Sequence, residues 1–299
     1  MIRAAIDIGT NSIKLCAAYV DGASVKVIKD VCEITKLGSG MREGGSITQD
    51  AMSVSAACIK KYVNEARSLG AESIIAAGTM ALRNAKNSED FIRRVKEETG
   101  LDVRVISGED EAVLSFKAAI SSLPQALTGR VVTFDTGGGS TEFVFGENGR
   151  ITYKKSVEIG GVTLTEDYFP SSPVAHAALV SAQELIKEKI KGEGISANGV
   201  SLIGMGGNIT SMAAVKLGLE EYDASLVHGM RLSASEVRSQ IELYAARTVE
   251  ERRAIKGLSP DRAGVILAGA CIVCTAMELC GASEVTVCDR GLRHMLLME

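Results

Sequence analysis

Residues 131–145 read VVTFDTGGGSTEFVF. Val131 to Phe134 and Thr141 to Phe145 are β-branched and aromatic runs, and between them Asp135-Thr136-Gly137-Gly138-Gly139-Ser140 is polar and glycine-rich. That composition predicts a hairpin with a polar tip. The same design occurs near the N-terminus, where Ala4 to Ile8 leads into Gly9-Thr10-Asn11-Ser12 and Ile13 to Tyr19 resumes the strand pattern. Both tips fit Asp-x-Gly-x-x-Ser, with Asp7 matching Asp135 and Ser12 matching Ser140 at an offset close to half the chain. A repeat at that spacing predicts two α/β domains of similar topology facing one another across a cleft, each contributing one loop.

Working outward, Asp50 to Leu69 has helical periodicity and stops at Gly70, Ser73 to Ala77 is a strand, and Asn87 to Thr99 is a helix stopped by Gly100. Leu101 to Ile106 alternates as a strand, and Ser107 and Asp110 stand at capping-box spacing at the start of the next helix. Pro124 and Gly129 break the pattern, so the boundary is placed there: an N-terminal domain over 1–125 and a C-terminal domain over 126–299. In the second domain, Gly204-Met205-Gly206-Gly207-Asn208 follows an apolar strand, Val200 to Ile203, and precedes a helix from about Thr210. Strand, glycines and helix in that order suit a phosphate group, with Gly206 and Gly207 nearest to it.

Composition narrows the function classes. With 46% hydrophobic and 23% charged residues in 299, the chain can bury the cores of about two domains. Aromatic content is 4% with no Trp, which argues against binding nucleic acid by base stacking. The net charge of -4 means that a polyanion must be held by local donors rather than by a basic surface. Asp7 interrupts what would be an apolar signal core, so a cytoplasmic protein is expected. The uncharged run from Gly264 to Met277 falls short of the roughly 20 residues of a membrane span and reads as a buried helix. Seven cysteines, an odd number, suggest reduced thiols; Cys271 and Cys274 lie one turn apart in that apolar helix and read as packing. His176, His228 and His294 lack metal-ligand spacing, and His228 reads as packing or capping a strand end.

The Gly-rich tips can turn several backbone N–H groups toward one anion. Asp135 and Glu142 flank the second tip with carboxylates that would repel phosphate unless a divalent cation such as Mg²⁺ lay between. Of the acids opening the helix at Ser107, Asp110 is committed to the cap, which leaves Glu109 or Glu111 as a general base; spacing does not choose. Arg83, just past a strand end, offers a fork of donors to phosphate oxygens, and Arg262 and Arg293 follow on weaker grounds.

These residues together resemble the exopolyphosphatase and guanosine pentaphosphate phosphatase family of the actin, Hsp70 and sugar kinase superfamily. The resemblance is carried by Asp7 through Ser12, Gly78-Thr79 with Arg83, Ile106-Ser107-Gly108 with Asp110-Glu111-Ala112, and Asp135 through Glu142. It continues through Gly160-Gly161, Gly204 to Gly207, His228-Gly229, Arg262-Ala263 with Gly269, and Gly291-Leu292-Arg293. It implies two ribonuclease-H-like domains and Mg²⁺-dependent hydrolysis of terminal phosphoanhydrides. It selects Glu111 as the base, gives Arg83 a phosphate contact, and assigns Asp7, Asp135 and Glu142 to metal and water. Thr10, Asn11, Ser12 and the backbone of Gly137, Gly138, Gly139 and Ser140 would cradle phosphate. The resemblance also implies a homodimer. Asn208, Gly264 and the pair His294-Met295 depart from the family pattern. The resemblance is to the short form of the family without a C-terminal HD-like helical domain, and a substrate of short polyphosphate is expected from it. The rival readings are a guanosine pentaphosphate 5′-phosphatase, a phosphotransferase on the same fold, and a non-catalytic polyphosphate or nucleotide sensor.

Overall fold

A computed structural model describes residues 1–22, 24–41, 45–123 and 128–299. Two compact units result: Met1–Leu114 with Leu292–Glu299, and Ser115–Gly291. The expected boundary at 125/126 lies outside the described residues.

In the first unit β1 (Ile2–Ile8), β2 (Ser12–Asp21) and β3 (Ser24–Ile34) form an antiparallel meander. Helix α1 (Gln49–Ser68) then leads to β4 (Ser73–Gly78), which pairs parallel with β1. Helices α2 (Met80–Asn84) and α3 (Ser88–Thr99) precede β5 (Val103–Val105), parallel to β4, and α4 (Gly108–Ser122) follows. The sheet order is β3-β2-β1-β4-β5. Because side chains alternate along a strand, the apolar run of β1 feeds two cores. Ala4, Ile6 and Ile8 pack with Ile59 and Val63 of α1 and Phe91 of α3. Ala5, with Cys16 and Ala18, packs with Leu292, Leu296 and Leu297 from the last segment of the chain.

The second unit repeats the plan. Strands β6 (Arg130–Thr136), β7 (Thr141–Glu147) and β8 (Arg150–Val157) form the meander, followed by α5 (Gly161–Tyr168) and α6 (His176–Gly192). Strand β9 (Ser201–Met205) pairs parallel with β6 and runs into α7 (Gly207–Leu217). After α8 (Ala224–Val227), β10 (Arg231–Ser233), α9 (Ala234–Ala245) and α10 (Val249–Arg253), a 3-10 turn at Pro260–Arg262 precedes α11 (Ile266–Leu279). Strand β11 (Glu284–Cys288) pairs parallel with β9, and α12 (Leu292–Leu296) belongs to the first unit. The order β10-β11-β9-β6-β7-β8 contains the five-strand arrangement of the first sheet with β10 added at one edge. Each sheet thus has the meander-plus-crossovers topology expected of a ribonuclease-H-like domain.

The uncharged run forms α11, buried along Ile266–Met277. Burial pushes the Cys271 thiol far above its ordinary range, so it stays protonated and packs as a small apolar group. Among the described residues no helix is long and apolar enough to cross a membrane. His228 accepts from the Asp289 N–H at Nδ1 and lies 3.3 Å from the Ser122 carbonyl at Nε2, a link between the ends of β11 and α4. Three expectations need correction. Strand β5 covers Val103–Val105 only, α7 starts at Gly207 rather than near Thr210, and the third strand of each meander, β3 and β8, was not expected. The early start of α7 follows from Gly206 as its N-cap, with φ at +91°.

Candidate functional site

The second unit shows how the sequence turns a hairpin tip into an anion cradle. The Gly137 carbonyl accepts from Gly161 N–H at 3.0 Å, and the Gly138 carbonyl accepts from Val162 at 2.7 Å and Thr163 at 3.3 Å, all at the start of α5. In a trans peptide the C=O and the following N–H point opposite ways, so the N–H groups of Gly138 and Gly139 are turned away from α5. Gly160 makes this approach possible, because a Cβ there would collide with the Gly138 carbonyl. The tip is therefore held from behind with its donors outward.

The β6/β7 register sets Asp135 opposite Glu142. Ser115 donates to Asp135 Oδ2 at 2.9 Å. Glu142 is 2% exposed, and its Oε1 accepts from both Ser140 and Ser156 at 2.7 Å. Three hydroxyls thus orient two carboxylates before any ligand arrives. The third glycine cluster abuts the same tip. A Cβ on Gly206 would stand 2.5 Å from the Thr136 carbonyl and 2.8 Å from Asp135 Oδ1, and Asn208 Nδ2 lies 3.4 Å from that carbonyl. The Arg262 guanidinium rests over Gly207, in the space a side chain there would take. Tip N–H groups, the N-terminus of α7 and a guanidinium lie in one unit, and donors of this kind can bind phosphate oxygens.

The first unit holds its tip by the same device. The Thr10 carbonyl accepts from Gly38 N–H at 2.8 Å, and the Asn11 carbonyl accepts from Thr35 and Lys36 at 3.1 and 3.0 Å. Thr10, Asn11 and Ser12 are buried. Asp7 is paired across the register with Lys14, whose Nζ donates to Oδ2 at 2.7 Å. Burial alone would lower the Lys14 pKa, but the Asp7 carboxylate outweighs it and the net shift is upward.

At the start of α4, the Ser107 hydroxyl caps Asp110 N–H at 3.0 Å and donates to Asp110 Oδ2 at 2.7 Å, which bears out the capping reading. Glu109 and Asp110 are exposed, whereas the Glu111 side chain is 13% exposed and lies 3.3 Å from Arg83 Nη1. Arg83 also donates to the Ile106 carbonyl at 2.9 Å, which fixes its stem beside Glu111. Arg293 is held by Asp30 in a two-pronged ion pair.

The structure therefore brings Gly137 to Ser140, Asp135, Glu142, Gly206 and Gly207 together in the second unit. Asp7, Thr10, Asn11 and Ser12 form one group in the first unit, and Arg83 with Glu111 another. Sequence reasoning missed Lys14, Ser115 and Ser156, and it undervalued Arg262. Lys14 had a signal, since it is the one charge in the run Ile13 to Val20.

Comparison with known proteins bears on the family and the fold. The Ppx/GppA phosphatase family model matches residues 15–299. Over 299 residues the chain is 32% identical to the bifunctional 3-dehydroquinate synthase/phosphatase of Fusobacterium nucleatum, covering 96% of this chain and 45% of that protein, so it spans less than half of that relative. It is 29% identical to exopolyphosphatase 2 of Mycobacterium tuberculosis, covering 97% of this chain and 95% of the relative. The solved Aquifex aeolicus Ppx/GppA enzyme is 32% identical and matches with a TM-score of 0.83, covering 100% of this chain and 99% of that one. The fold is accordingly the two-domain actin-like one, each sheet being one ribonuclease-H-like half. With the family model spanning nearly every residue and the sheet order repeated in both units, the chain belongs to the Ppx/GppA phosphatase family.

Proposed function

We propose that the chain is a phosphoanhydride hydrolase, an exopolyphosphatase that releases terminal phosphate from short inorganic polyphosphate. The observation that carries this reading is the engagement of the Gly137 and Gly138 carbonyls by α5, which turns the tip N–H groups outward as phosphate donors. The relative named exopolyphosphatase 2 supports the substrate class. Glu111 removes a proton from the attacking water, and the Arg83 guanidinium 3.3 Å away holds its carboxylate in place. Attack by water on a terminal phosphorus needs positioning and charge neutralisation rather than a covalent nucleophile.

The donors around Asp135 and Glu142 are all oxygen, which fits Mg²⁺ and disfavours softer ions. Asp135 and Glu142 would hold it; Asp7, which the resemblance also assigns to metal, is already paired with Lys14 in the first unit. Bound there, Mg²⁺ would neutralise phosphate oxygens. The same reading, from the family resemblance, makes the protein a cytoplasmic homodimer.

The test is phosphate release from short polyphosphate, long polyphosphate and guanosine pentaphosphate with Mg²⁺, comparing native protein with Glu111→Gln. Turnover of polyphosphate that falls by about 10²–10⁴ in the variant is expected for a general base. Release from guanosine pentaphosphate alone would make it a 5′-phosphatase, and no release from any of the three would remove the hydrolase reading.

A further inference from the structure

One cluster of side chains lies outside every residue used above for phosphate chemistry. Cys16 on β2 stands directly opposite Asp30 on β3, so their side chains leave the same face of the sheet. Helix α12 covers that face, with Leu292 and Leu296 packed in one core with Cys16. It sets His294 Nε2 3.1 Å from Asp30 Oδ2. One donor atom each from Cys16, Asp30 and His294 lies within 4.8 Å of the other two. Cys16 is fully buried, His294 is 7% exposed, and the Asp30 side chain is 24% exposed. The cluster is thus closed on the sheet side and open to solvent at the carboxylate.

A thiolate, an imidazole and a carboxylate are the donors of borderline transition-metal ions, whereas Mg²⁺ takes oxygen alone. With bonds of about 2.0–2.3 Å, ligand atoms around tetrahedral Zn²⁺ sit roughly 3.3–3.6 Å apart. The His294–Asp30 separation is already close to that edge, and the Cys16 sulfur, within 4.8 Å of both, must move in by up to about 1.5 Å. Arg293 grips Asp30 with Nε on Oδ1 at 2.6 Å and Nη2 on Oδ2 at 2.9 Å. A carboxylate offers about four lone-pair sites, so Arg293 can orient Asp30 while Asp30 also ligates. The guanidinium charge opposes a cation and limits the affinity; loss of the Cys16 proton on binding offsets part of that charge.

We propose that Cys16, Asp30 and His294 form a Zn²⁺-class metal site with an open fourth position, separate from the Mg²⁺ carboxylates and tying α12 to β2 and β3. The ion binds in place of the Cys16 proton, with no change of oxidation state.

Titration of the full chain with Co²⁺ and then Zn²⁺, in an Asp135→Asn/Glu142→Gln background that removes the oxygen site, tests this. One equivalent of Co²⁺ should produce thiolate-to-metal charge-transfer absorption that Zn²⁺ displaces. The absorption should vanish in both Cys16→Ser and His294→Gln, and Zn²⁺ should raise the melting temperature of the background but of neither variant. Should Cys16→Ser fail to fold, His294→Gln alone decides. Absence of the absorption in the background, or its persistence in a folded variant, overturns the proposal.

Discussion

Asp7 and Lys14 face one another across the β1/β2 hairpin with carboxylate and ammonium 2.7 Å apart, and their side chains are 9% and 22% exposed. Lys14→Met would leave Asp7 nearly buried and uncompensated, and is expected to cost roughly 1–3 kcal/mol, less than for a fully buried pair. The Lys14 pKa is raised on folding, so its contribution is complete below the unfolded value of about 10.4 and is lost as pH rises through the folded one. Urea denaturation should show a constant gap between variant and native protein from neutral pH to about 9, closing only in stronger alkali.

Adjacent glycines at the start of α7 should respond differently to alanine. At Gly206, φ is +91° and the added Cβ would strike backbone, so Gly206→Ala is expected to cost about 2 kcal/mol or more. At Gly207 the obstacle is the end of the Arg262 side chain, which can move. Gly207→Ala should keep the native melting temperature within a few degrees while raising KM for polyphosphate. Calorimetry and steady-state kinetics on both variants separate the two outcomes.

Ser156 reaches the buried Glu142 from the neighbouring strand. Removing that hydroxyl leaves Ser140 as the hydrogen-bond donor identified at Oε1 and loosens the carboxylate. Ser156→Ala should raise the Mg²⁺ concentration for half-maximal activity by about 10-fold or more, with a smaller effect at saturating Mg²⁺. A Mg²⁺ titration of phosphate release is the measurement.

Burial would raise the Asp30 pKa, but hydrogen bonding from His294 and the charge of Arg293 bring it well below the ordinary carboxylate range. A lowered folded pKa gives stability that is present above the unfolded value of about 3.9 and lost as pH falls through the folded one. Asp30→Asn is therefore expected to destabilise by about 1–3 kcal/mol at pH 7 and progressively less below about pH 4, measured by denaturant melts without added metal.

The hairpins were legible because each tip concentrates Asp, Gly and Ser between apolar runs, and the α11 segment because it carries no charge. Once a tip is placed, counting outward from it makes Asp135 face Glu142; the same count makes Asp7 face Lys14, a step the sequence reading did not take. Strand β3 escaped because it is an edge strand whose residues alternate between exposed and half-buried, with no fully buried side chain to mark it. Strand β8 is likewise an edge, buried only at Val157. The places of Arg262 over Gly207 and of Ser115 beside Asp135 depend on elements far apart in sequence, and no local pattern announces such contacts.

The chain leaves the first unit after Leu114 and re-enters it at Leu292, so the second unit is an insertion within the first. During synthesis Ala5, Cys16 and Ala18 must wait for Leu292, Leu296 and Leu297 to leave the ribosome before that face of the sheet is covered. The inserted unit, contiguous in sequence, has no such delay. The part translated first is therefore completed last, and a ribosome stalled before Leu292 would hold a finished second unit beside a first unit with one apolar face bare, a substrate for chaperones.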